Sequence, residues 1–285
     1  MKTVKLIECP RDALQSFKPF VSTNEKIAYY QTLLKVGFDT LDCGSFVSPN
    51  MIPQMADCAD VIRNLDCSNS NTKLLTIVAN LRGAKSAVKF KRIKYLGYPF
   101  SISENFQIRN TGKTIMESVK NLEQIIKLTC EYEKEVIVYL SMGFGNPYGD
   151  PWSSSIILKW IDILANMGIK IISLSDTIGT AKIDNITHLF GALIPEYPEL
   201  EFGAHFHTQS KSWYDKINAA FNAGCNRFDG TIKGMGSCPM VQNKLIGNIP
   251  TEKLISYFTS LKKLPESIDV LAFESAYNYS QKLFN

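Results

Sequence analysis

Short apolar segments alternate along the chain with longer segments in which apolar residues recur every three or four positions. The short segments are rich in β-branched and aromatic residues and predict eight strands, at residues 4–8, 38–43, 74–79, 93–98, 135–141, 169–174, 201–206 and 227–232. The amphipathic segments predict helices at residues 23–36, 50–64, 112–133, 153–167, 182–195, 209–223 and 251–262. Strands that alternate with helices in this way are parallel and are joined by crossover helices.

Eight strands that alternate with helices favour a (β/α)8 barrel, the TIM barrel. An open doubly wound sheet is the alternative, but the first predicted strand is not followed by the GxGxxG sequence that binds dinucleotides in such sheets. No repeat, low-complexity segment or Pro/Ser-rich linker divides the chain, so we expect a single catalytic domain over residues 1–285. A further helix is expected at residues 267–281, packed on as an addition to the barrel.

The composition limits the classes of partner. A net charge of +4 is small for 285 residues and the basic residues are scattered, so we expect no nucleic-acid and no membrane partner. No apolar run approaches the roughly 18 residues that span a bilayer. The seven cysteines show no CxxC spacing, which argues against a disulfide framework. Because the start also lacks a signal-peptide pattern, we expect a cytoplasmic protein.

Barrel enzymes place their catalytic groups at the carboxyl ends of the strands, so the polar residues that follow each strand are the candidates. Such residues lie at 8–12, 42–45, 175–177 and 205–208. The strongest signal among them is the pair His205 and His207, because residues two apart on a strand point the same way and can bind one ion. A lone HxH also occurs as a hydrogen-bonding pair in a barrel core, and that alternative stays open.

Two oxygen-bearing side chains can complete an ion site around the histidines. Asp12, after the first strand, supplies a carboxylate, and Asn248 supplies an amide oxygen. Two nitrogen and two oxygen ligands suit an octahedral divalent ion, Mg²⁺ or Mn²⁺, with Fe(II) and zinc as alternatives. Arg11 is adjacent to Asp12, where its guanidinium can stabilise an oxyanion or simply form a salt bridge.

Two further side chains are candidates for proton transfer. Asp42 can act as a general acid or base if burial raises its pKa, or it can be a structural carboxylate. Cys238 lies in the glycine-containing sequence GMGSCP, on a loop that can close over a substrate and exchange a proton. Cys9 and Cys43, at strand ends, are expected to be packing residues.

These motifs together resemble those of the metal-dependent aldolase and lyase barrels, and in particular hydroxymethylglutaryl-CoA lyase. The shared segments are CPRDALQ at 9–15, SFVSPNMIPQM at 45–55, SDTIG at 175–179, HFH at 205–207 and GSCP at 236–239. Their order and spacing match along nearly the whole chain. The first and fourth segments also occur in related isopropylmalate and homocitrate synthases, whereas the second and fifth resemble those of the lyases.

The resemblance implies a retro-aldol cleavage of 3-hydroxy-3-methylglutaryl-CoA to acetyl-CoA and acetoacetate, and it implies a homodimer. An acyl-CoA ester is then the small-molecule substrate. Carried across by position, the resemblance implies that the ligands of a divalent ion, Mg²⁺ or Mn²⁺, are Asp12, His205, His207 and Asn248. It places Arg11 at the thioester carbonyl.

The resemblance also implies roles in proton transfer and substrate binding. Cys238 is then the thiol that protonates the carbanion, and His205 is the candidate base for the substrate hydroxyl. Asp42 stands where the family has a catalytic glutamate. Gln15 and Thr177 are candidate substrate contacts, in addition to Arg11. Asp176 is implied to support the ion site indirectly.

Several positions depart from the family pattern. Ala13 replaces a glycine, Asp42 is one methylene shorter than the glutamate that it replaces, and Thr208 stands where an aspartate is common. One residue more than usual separates Cys238 from Asn248, which leaves Asn243 as the alternative amide ligand. Two other functions remain as alternatives: a related acyl-CoA lyase or Claisen-type synthase, and a barrel that binds CoA esters without catalysis.

Overall fold

The computed structural model describes residues 3–209, 212–236 and 246–284. Eight parallel strands close into a barrel: β1 (Lys5–Glu8), β2 (Thr40–Ser45), β3 (Lys73–Ile77), β4 (Ile93–Ser101), β5 (Glu135–Ser141), β6 (Ile171–Asp176), β7 (Glu201–Thr208) and β8 (Arg227–Gly230). Strands adjacent in the sequence pair with each other, and β1 pairs with β8 to close the circle. The predicted (β/α)8 barrel is therefore confirmed.

Helices surround the strands: α1 (Pro10–Gln15), α2 (Thr23–Leu34), α3 (Cys58–Asn64), α4 (Leu81–Ala87), α5 (Glu104–Thr111), α6 (Ile115–Glu131), α7 (Ser154–Asn166), α8 (Ile183–Glu196), α9 (Trp213–Asn222), α10 (Thr251–Ser260) and α11 (Val270–Leu283). The prediction missed α1, α4 and α5, which are too short for a periodic pattern to be visible. Within the described ranges, every helix is too short or too polar to pass through a bilayer.

One predicted helix, at 50–64, is divided in the structure. It consists of a 3₁₀ turn at Pro53–Met55 followed by α3. Pro53 has no backbone N–H and disfavours helical geometry in the residue before it, so a continuous helix cannot run through this position. A short strand, β9 (Gly247–Asn248), was also not predicted; it pairs antiparallel with β7 and sets Asn248 opposite His207.

The helix boundaries follow from local hydrogen bonds. Ser22 and Glu25 form a capping box at the start of α2, and Thr114 and Glu117 form another at the start of α6. The additional C-terminal helix is confirmed as α11, which packs on α2 through stacked rings of Tyr29 and Tyr279 with centroids 5.9 Å apart.

The strands are buried on both faces, as expected for a parallel barrel. Side chains on the outer face pack against the helices in one large apolar cluster. A separate small cluster fills the inside of the barrel, formed by Leu75, Tyr95, Ile137, Tyr139 and Ile171. This packing makes the strands rigid, so side chains at their carboxyl ends are held in fixed positions.

Candidate active site

The carboxyl ends of β1, β7 and β9 bring the predicted ion ligands together. One ligand atom each from Asp12, His205 and His207 lies within 4.8 Å of the others. The Nε2 atom of His205 is 3.9 Å from Asp12 Oδ2, and the two imidazole centroids are 5.5 Å apart. Asn248 touches the same carboxylate, with Nδ2 3.0 Å from Asp12 Oδ2. The four residues predicted as ligands thus form one cluster.

Hydrogen bonds at the Nδ1 atoms determine the tautomer of each histidine. The Nδ1 atom of His207 is 2.8 Å from the backbone oxygen of Thr177, and because a carbonyl oxygen can only accept, Nδ1 carries the proton. The Nδ1 atom of His205 donates in the same way to Asp229 Oδ2 at 3.0 Å. Each ring then has its lone pair on Nε2. Metal-binding histidines have partners of this kind on the other nitrogen.

The charges of the cluster suit a divalent cation. Burial and the neighbouring His205 lower the pKa of His207, so its ring is neutral. Burial raises the pKa of Asp12, but Arg11 and the two histidines outweigh this effect and lower that pKa overall. The Nε2 atom of His207 is buried and has no hydrogen-bond partner within the described part of the chain. Neutral imidazole and ionised carboxylate are the forms that bind metal ions, so these residues fit such an ion.

Asn248 is held against the cluster by its own amide. Its Nδ2 atom donates to Asp12 Oδ2 and to the backbone oxygen of Met235, both at 3.0 Å. The carbonyl oxygen is the atom with which an amide binds an ion. Gly236 passes close by with a φ of +86°, and a Cβ there would lie 2.6 Å from the backbone oxygen of Asp12. Glycine is therefore required at this position.

Arg11 lies beside the cluster, held by three side chains. Its Nε and Nη2 atoms donate to Asp42 Oδ2 at 2.9 and 2.6 Å. Its Nη1 atom donates to Gln15 Oε1 at 2.9 Å and to Asp12 Oδ1 at 3.2 Å. Within the described residues, one N–H on Nη2 remains for another acceptor, because a guanidinium has five. The role of Arg11 at an oxyanion stays a prediction that this geometry permits.

Asp42 is fully buried and anchors Arg11. Its Oδ2 atom accepts both N–H groups, whereas Oδ1 has no hydrogen-bond partner in the described ranges. Burial raises the pKa of Asp42 above its usual value, although Arg11 opposes this effect. Positioning of Arg11 is thus one visible function of the carboxylate, and acid–base catalysis stays a prediction.

The two other predicted substrate contacts make hydrogen bonds within the protein. The Oε1 atom of Gln15 accepts from Arg11, as described above. The hydroxyl of Thr177 accepts from the backbone N–H of Met142 at 2.9 Å and is buried. Met142 has a φ of +59°, which is uncommon for a residue with a side chain, so Thr177 stabilises a strained turn after β5.

Lys216 was not identified from the sequence, although it lies close to the site. It is buried on α9, and its Nζ atom donates to Asp176 Oδ2 at 2.6 Å. It also donates to the backbone oxygens of Gly179 and His207, each at 3.0 Å. Lys216 thus links Asp176 to the backbone of His207, and the support of an ion site by Asp176 stays a prediction. The available signal was a lysine on the apolar face of the predicted helix 209–223.

Asp229 is a second residue that was not identified. It lies on β8, is 2% exposed, and orients His205 through the hydrogen bond to Nδ1. Burial alone lowers the pKa of His205, but this hydrogen bond and the charges of Asp229 and Asp12 raise it overall. A carboxylate inside a predicted barrel strand was the signal that could have indicated it.

The 45–55 segment, which resembles that of the lyases, contacts the loop between α1 and α2 next to the site. Gln54 accepts a hydrogen bond from Val21 N at 3.2 Å and donates to the backbone oxygens of Phe17 and Pro19. One amide thus holds the loop between α1 and α2. Because α1 carries Arg11, this loop contributes to the position of the guanidinium.

The predicted catalytic thiol, Cys238, lies outside the described residues, as does Asn243, the alternative amide ligand. Both stay predictions.

Comparison with known proteins identifies the family. A family model described as HMGL-like matches residues 4–279. The mitochondrial hydroxymethylglutaryl-CoA lyase of Macaca fascicularis is 31% identical over 257 residues, which cover 89% of this chain and 78% of the relative. That of Arabidopsis thaliana is 31% identical over 91% of this chain, which spans 55% of the relative's length. A 3-hydroxy-3-isohexenylglutaryl-CoA/hydroxymethylglutaryl-CoA lyase of Pseudomonas aeruginosa is 28% identical, and the match covers 92% of this chain and 86% of the relative.

Solved structures agree with this assignment. An HMG-CoA lyase from Bacillus subtilis superposes with a TM-score of 0.92 at 27% identity and covers 99% of this chain and 94% of its own. An HMG-CoA lyase from Acinetobacter baumannii, in complex with coenzyme A and 3-methylmalate, has a TM-score of 0.91 at 26% identity. The match covers 99% of this chain and 91% of the lyase chain. This chain therefore belongs to the HMGL-like family, the family that includes the hydroxymethylglutaryl-CoA lyases.

Proposed function

We propose that this chain is a carbon–carbon lyase that cleaves 3-hydroxy-3-methylglutaryl-CoA to acetyl-CoA and acetoacetate. The observation that carries the proposal is the cluster of Asp12, His205 and His207 beside Arg11 at the carboxyl end of the barrel. Relatives with the name of this enzyme support it over most of the chain. The complex of a similar lyase with coenzyme A supports an acyl-CoA ester as the substrate class.

Asp12, His205, His207 and Asn248 are the residues that would hold a divalent cation, Mg²⁺ or Mn²⁺. When bound, such an ion supplies Lewis acidity that lowers the pKa of the substrate's tertiary hydroxyl. The neutral ring of His207 and the ionised Asp12 support this assignment.

Cleavage requires a base for the proton of the tertiary hydroxyl, and His205 is the proposed base. Asp229 holds the ring in the tautomer with a free Nε2 and stabilises the imidazolium after proton transfer. Nε2 has one lone pair, so His205 can act as the base only while Asp12, His207 and Asn248 hold the ion without it. Comparing His205→Gln with His207→Gln separates the two roles: a ligand loses ion affinity, and a base loses turnover while the ion stays bound.

Arg11 is proposed to stabilise the negative charge that develops as the bond between C2 and C3 of the substrate breaks. The electron pair of that bond moves to the thioester oxygen and forms the enolate of acetyl-CoA. The remaining N–H on Arg11 Nη2 can donate to this oxygen, and Asp42 keeps the guanidinium in place. Cys238 is proposed to protonate C2 of the enolate, which completes acetyl-CoA.

The experiment measures acetoacetate release from 3-hydroxy-3-methylglutaryl-CoA by metal-stripped protein, with and without added Mg²⁺ or Mn²⁺. We expect turnover that depends on the ion and is abolished in Cys238→Ala and His205→Ala. His188→Ala is the matched control, because His188 lies exposed on α8 and should not affect turnover. Ion binding without any acetoacetate would refute the proposed function.

The same assay tests a second substrate. The relative from Pseudomonas aeruginosa is named for 3-hydroxy-3-isohexenylglutaryl-CoA as well as the methyl compound. This name favours a lyase with a longer substituent at C3 as the alternative. A higher kcat/KM with the isohexenyl substrate would support that alternative, and a lower one would exclude it as the main activity.

We further propose that the chain acts as a homodimer in the cytoplasm. The dimer rests on the family resemblance, and light scattering of the purified protein tests it. All cysteines of the described residues are free thiols, which supports a reducing compartment. Fluorescent tagging of the protein in its native cell tests the location.

A further inference from the structure

A second cluster of metal-binding side chains lies at the Nδ1 edge of the His205 ring. One ligand atom each from Cys9, His205 and Asp229 lies within 4.8 Å of the others. Cys9 directly follows β1, and Asp229 lies on β8, the strand paired with β1. The backbone N–H of Cys9 donates to Gly230 O at 2.9 Å, so the two strands hold the cluster together.

This cluster is enclosed by the barrel. Cys9 and Asp229 are 1% and 2% exposed. Tyr139 packs its ring edge-on against His205, with centroids 5.4 Å apart. Within the described residues, Asp229 Oδ1 and the Tyr139 hydroxyl are both buried without a hydrogen-bond partner. Buried polar atoms without protein partners are rare, and a bound water molecule or ion is one way in which they are satisfied.

The charges around Cys9 attract a cation. The carboxylates of Asp229, Asp42 and Asp12 lie near the Cys9 thiol, and Arg11 is the opposing positive charge. A divalent cation bound at Cys9 gains the attraction of these carboxylates.

We propose that Cys9 Sγ, His205 Nδ1 and the Asp229 carboxylate form a second cation site, selective for Zn²⁺ or a similar thiophilic ion. A thiolate, an imidazole and a carboxylate are typical zinc ligands, whereas the cluster of Asp12, His205 and His207 has no sulfur and suits a harder ion. Cys9 loses its thiol proton on binding and coordinates as the thiolate. The proposal goes beyond the lyase reaction and does not depend on which substrate is cleaved.

The shared histidine makes the two sites antagonistic. A neutral imidazole has one lone pair and one N–H, so it can offer either Nδ1 or Nε2 to an ion. When Nδ1 of His205 binds the thiophilic ion, the ring proton moves to Nε2. His205 can then no longer bind an ion together with Asp12 and His207. A thiophilic ion at Cys9 therefore weakens binding of Mg²⁺ or Mn²⁺, and by linkage the reverse also holds.

The test uses Cd²⁺ as the probe, because a cadmium–thiolate bond absorbs in the ultraviolet. The full-length chain carries Cys238→Ala, which removes the thiol proposed for catalysis, and it is metal-stripped and then loaded with Mn²⁺. Cd²⁺ is titrated while absorption reports thiolate binding and the electron paramagnetic resonance of free Mn²⁺ reports its release. Cys9→Ser is compared with Cys225→Ser, a matched control at another buried cysteine.

We expect the parent and Cys225→Ser to show thiolate absorption that saturates at one equivalent of Cd²⁺, with Mn²⁺ released in parallel. Cys9→Ser should lose this absorption and need at least about tenfold more Cd²⁺ to release Mn²⁺. Cys9→Ala provides a second variant if the serine variant does not fold. Equal absorption with and without Cys9 would overturn the site. Absorption without Mn²⁺ release would overturn the antagonism. Because turnover is not measured, failure here leaves the proposed lyase reaction untouched.

Discussion

The buried carboxyl group of Glu8 allows a quantitative test of how the free energy of unfolding depends on pH. Glu8 is the last residue of β1 and is fully buried. Its Oε1 atom accepts a hydrogen bond from Ile232 N at 2.9 Å, and its Oε2 atom accepts one from the Thr251 hydroxyl. Burial raises the pKa of Glu8 from 4.5 to about 8, although both hydrogen bonds oppose this effect. The side chain is therefore protonated in the folded protein at neutral pH.

The sign of the pH dependence follows from proton binding. Between pH 4.5 and about 8 the folded protein keeps the proton of Glu8 and the unfolded chain loses it. The free energy of unfolding therefore falls as the pH rises through this window. The loss reaches about 4 kcal/mol at pH 8, from the size of the pKa change. Glu8→Gln removes the loss, since an amide is neutral and can still accept from Ile232 and donate to Thr251.

Urea unfolding of the wild type and Glu8→Gln at pH 5 and pH 8 measures this effect. We expect similar free energies at pH 5, and at pH 8 a variant more stable by about 4 kcal/mol. Glu25→Gln is the control, because hydrogen bonds from Ser22 lower the pKa of the exposed Glu25. The stability that Glu25 contributes is lost only as the pH falls below its unfolded value, so this variant should differ from the wild type by nearly the same amount at pH 5 and pH 8. The same difference between the wild type and Glu8→Gln at both pH values would refute the reasoning.

Three further predictions concern the active site. Lys216→Met leaves the Asp176 carboxylate buried without its positively charged partner and should lower the free energy of unfolding in urea by about 3–5 kcal/mol. Adding Asp176→Asn to this variant should restore part of the loss. A Lys216→Met variant as stable as the wild type would contradict this prediction. Arg11→Lys should lower kcat by about 10²–10³-fold in steady-state assays. A raised KM with unchanged kcat would instead restrict Arg11 to substrate binding. Gly236→Ala presses a Cβ against the backbone of Asp12 and should weaken Mn²⁺ binding by at least about tenfold in calorimetry. Unchanged affinity would show that Asp12 does not depend on this close approach.

The sequence predicts the residues at strand ends better than those that reach the site from elsewhere. His205 and His207 are visible because a strand has a period of two, and Asp12 because it directly follows a strand. Lys216 approaches the site from a helix, where a lysine in an amphipathic pattern is usually a surface residue. Its role depends on how α9 packs against β6 and β7, which local sequence does not encode.

The strand β9 shows a similar limit. Two residues carry no periodic pattern, and their antiparallel pairing with β7 is a long-range contact. The residues alone thus offer Asn248 only as one oxygen-bearing side chain that can complete the ion site, and the family resemblance implies that it is a ligand. The helix at 50–64 was predicted as continuous because its apolar periodicity outweighed the signal of Pro53.

The most direct test of the proposed function is the cleavage of 3-hydroxy-3-methylglutaryl-CoA in D₂O with Mn²⁺ present, followed by mass spectrometry of the acetyl-CoA. Retro-aldol cleavage through an enolate predicts acetyl-CoA with one deuterium in its methyl group, formed in equal amount with acetoacetate. Without a divalent ion, neither product should appear. Free coenzyme A with intact 3-hydroxy-3-methylglutarate would indicate thioester hydrolysis instead and would contradict the proposed reaction.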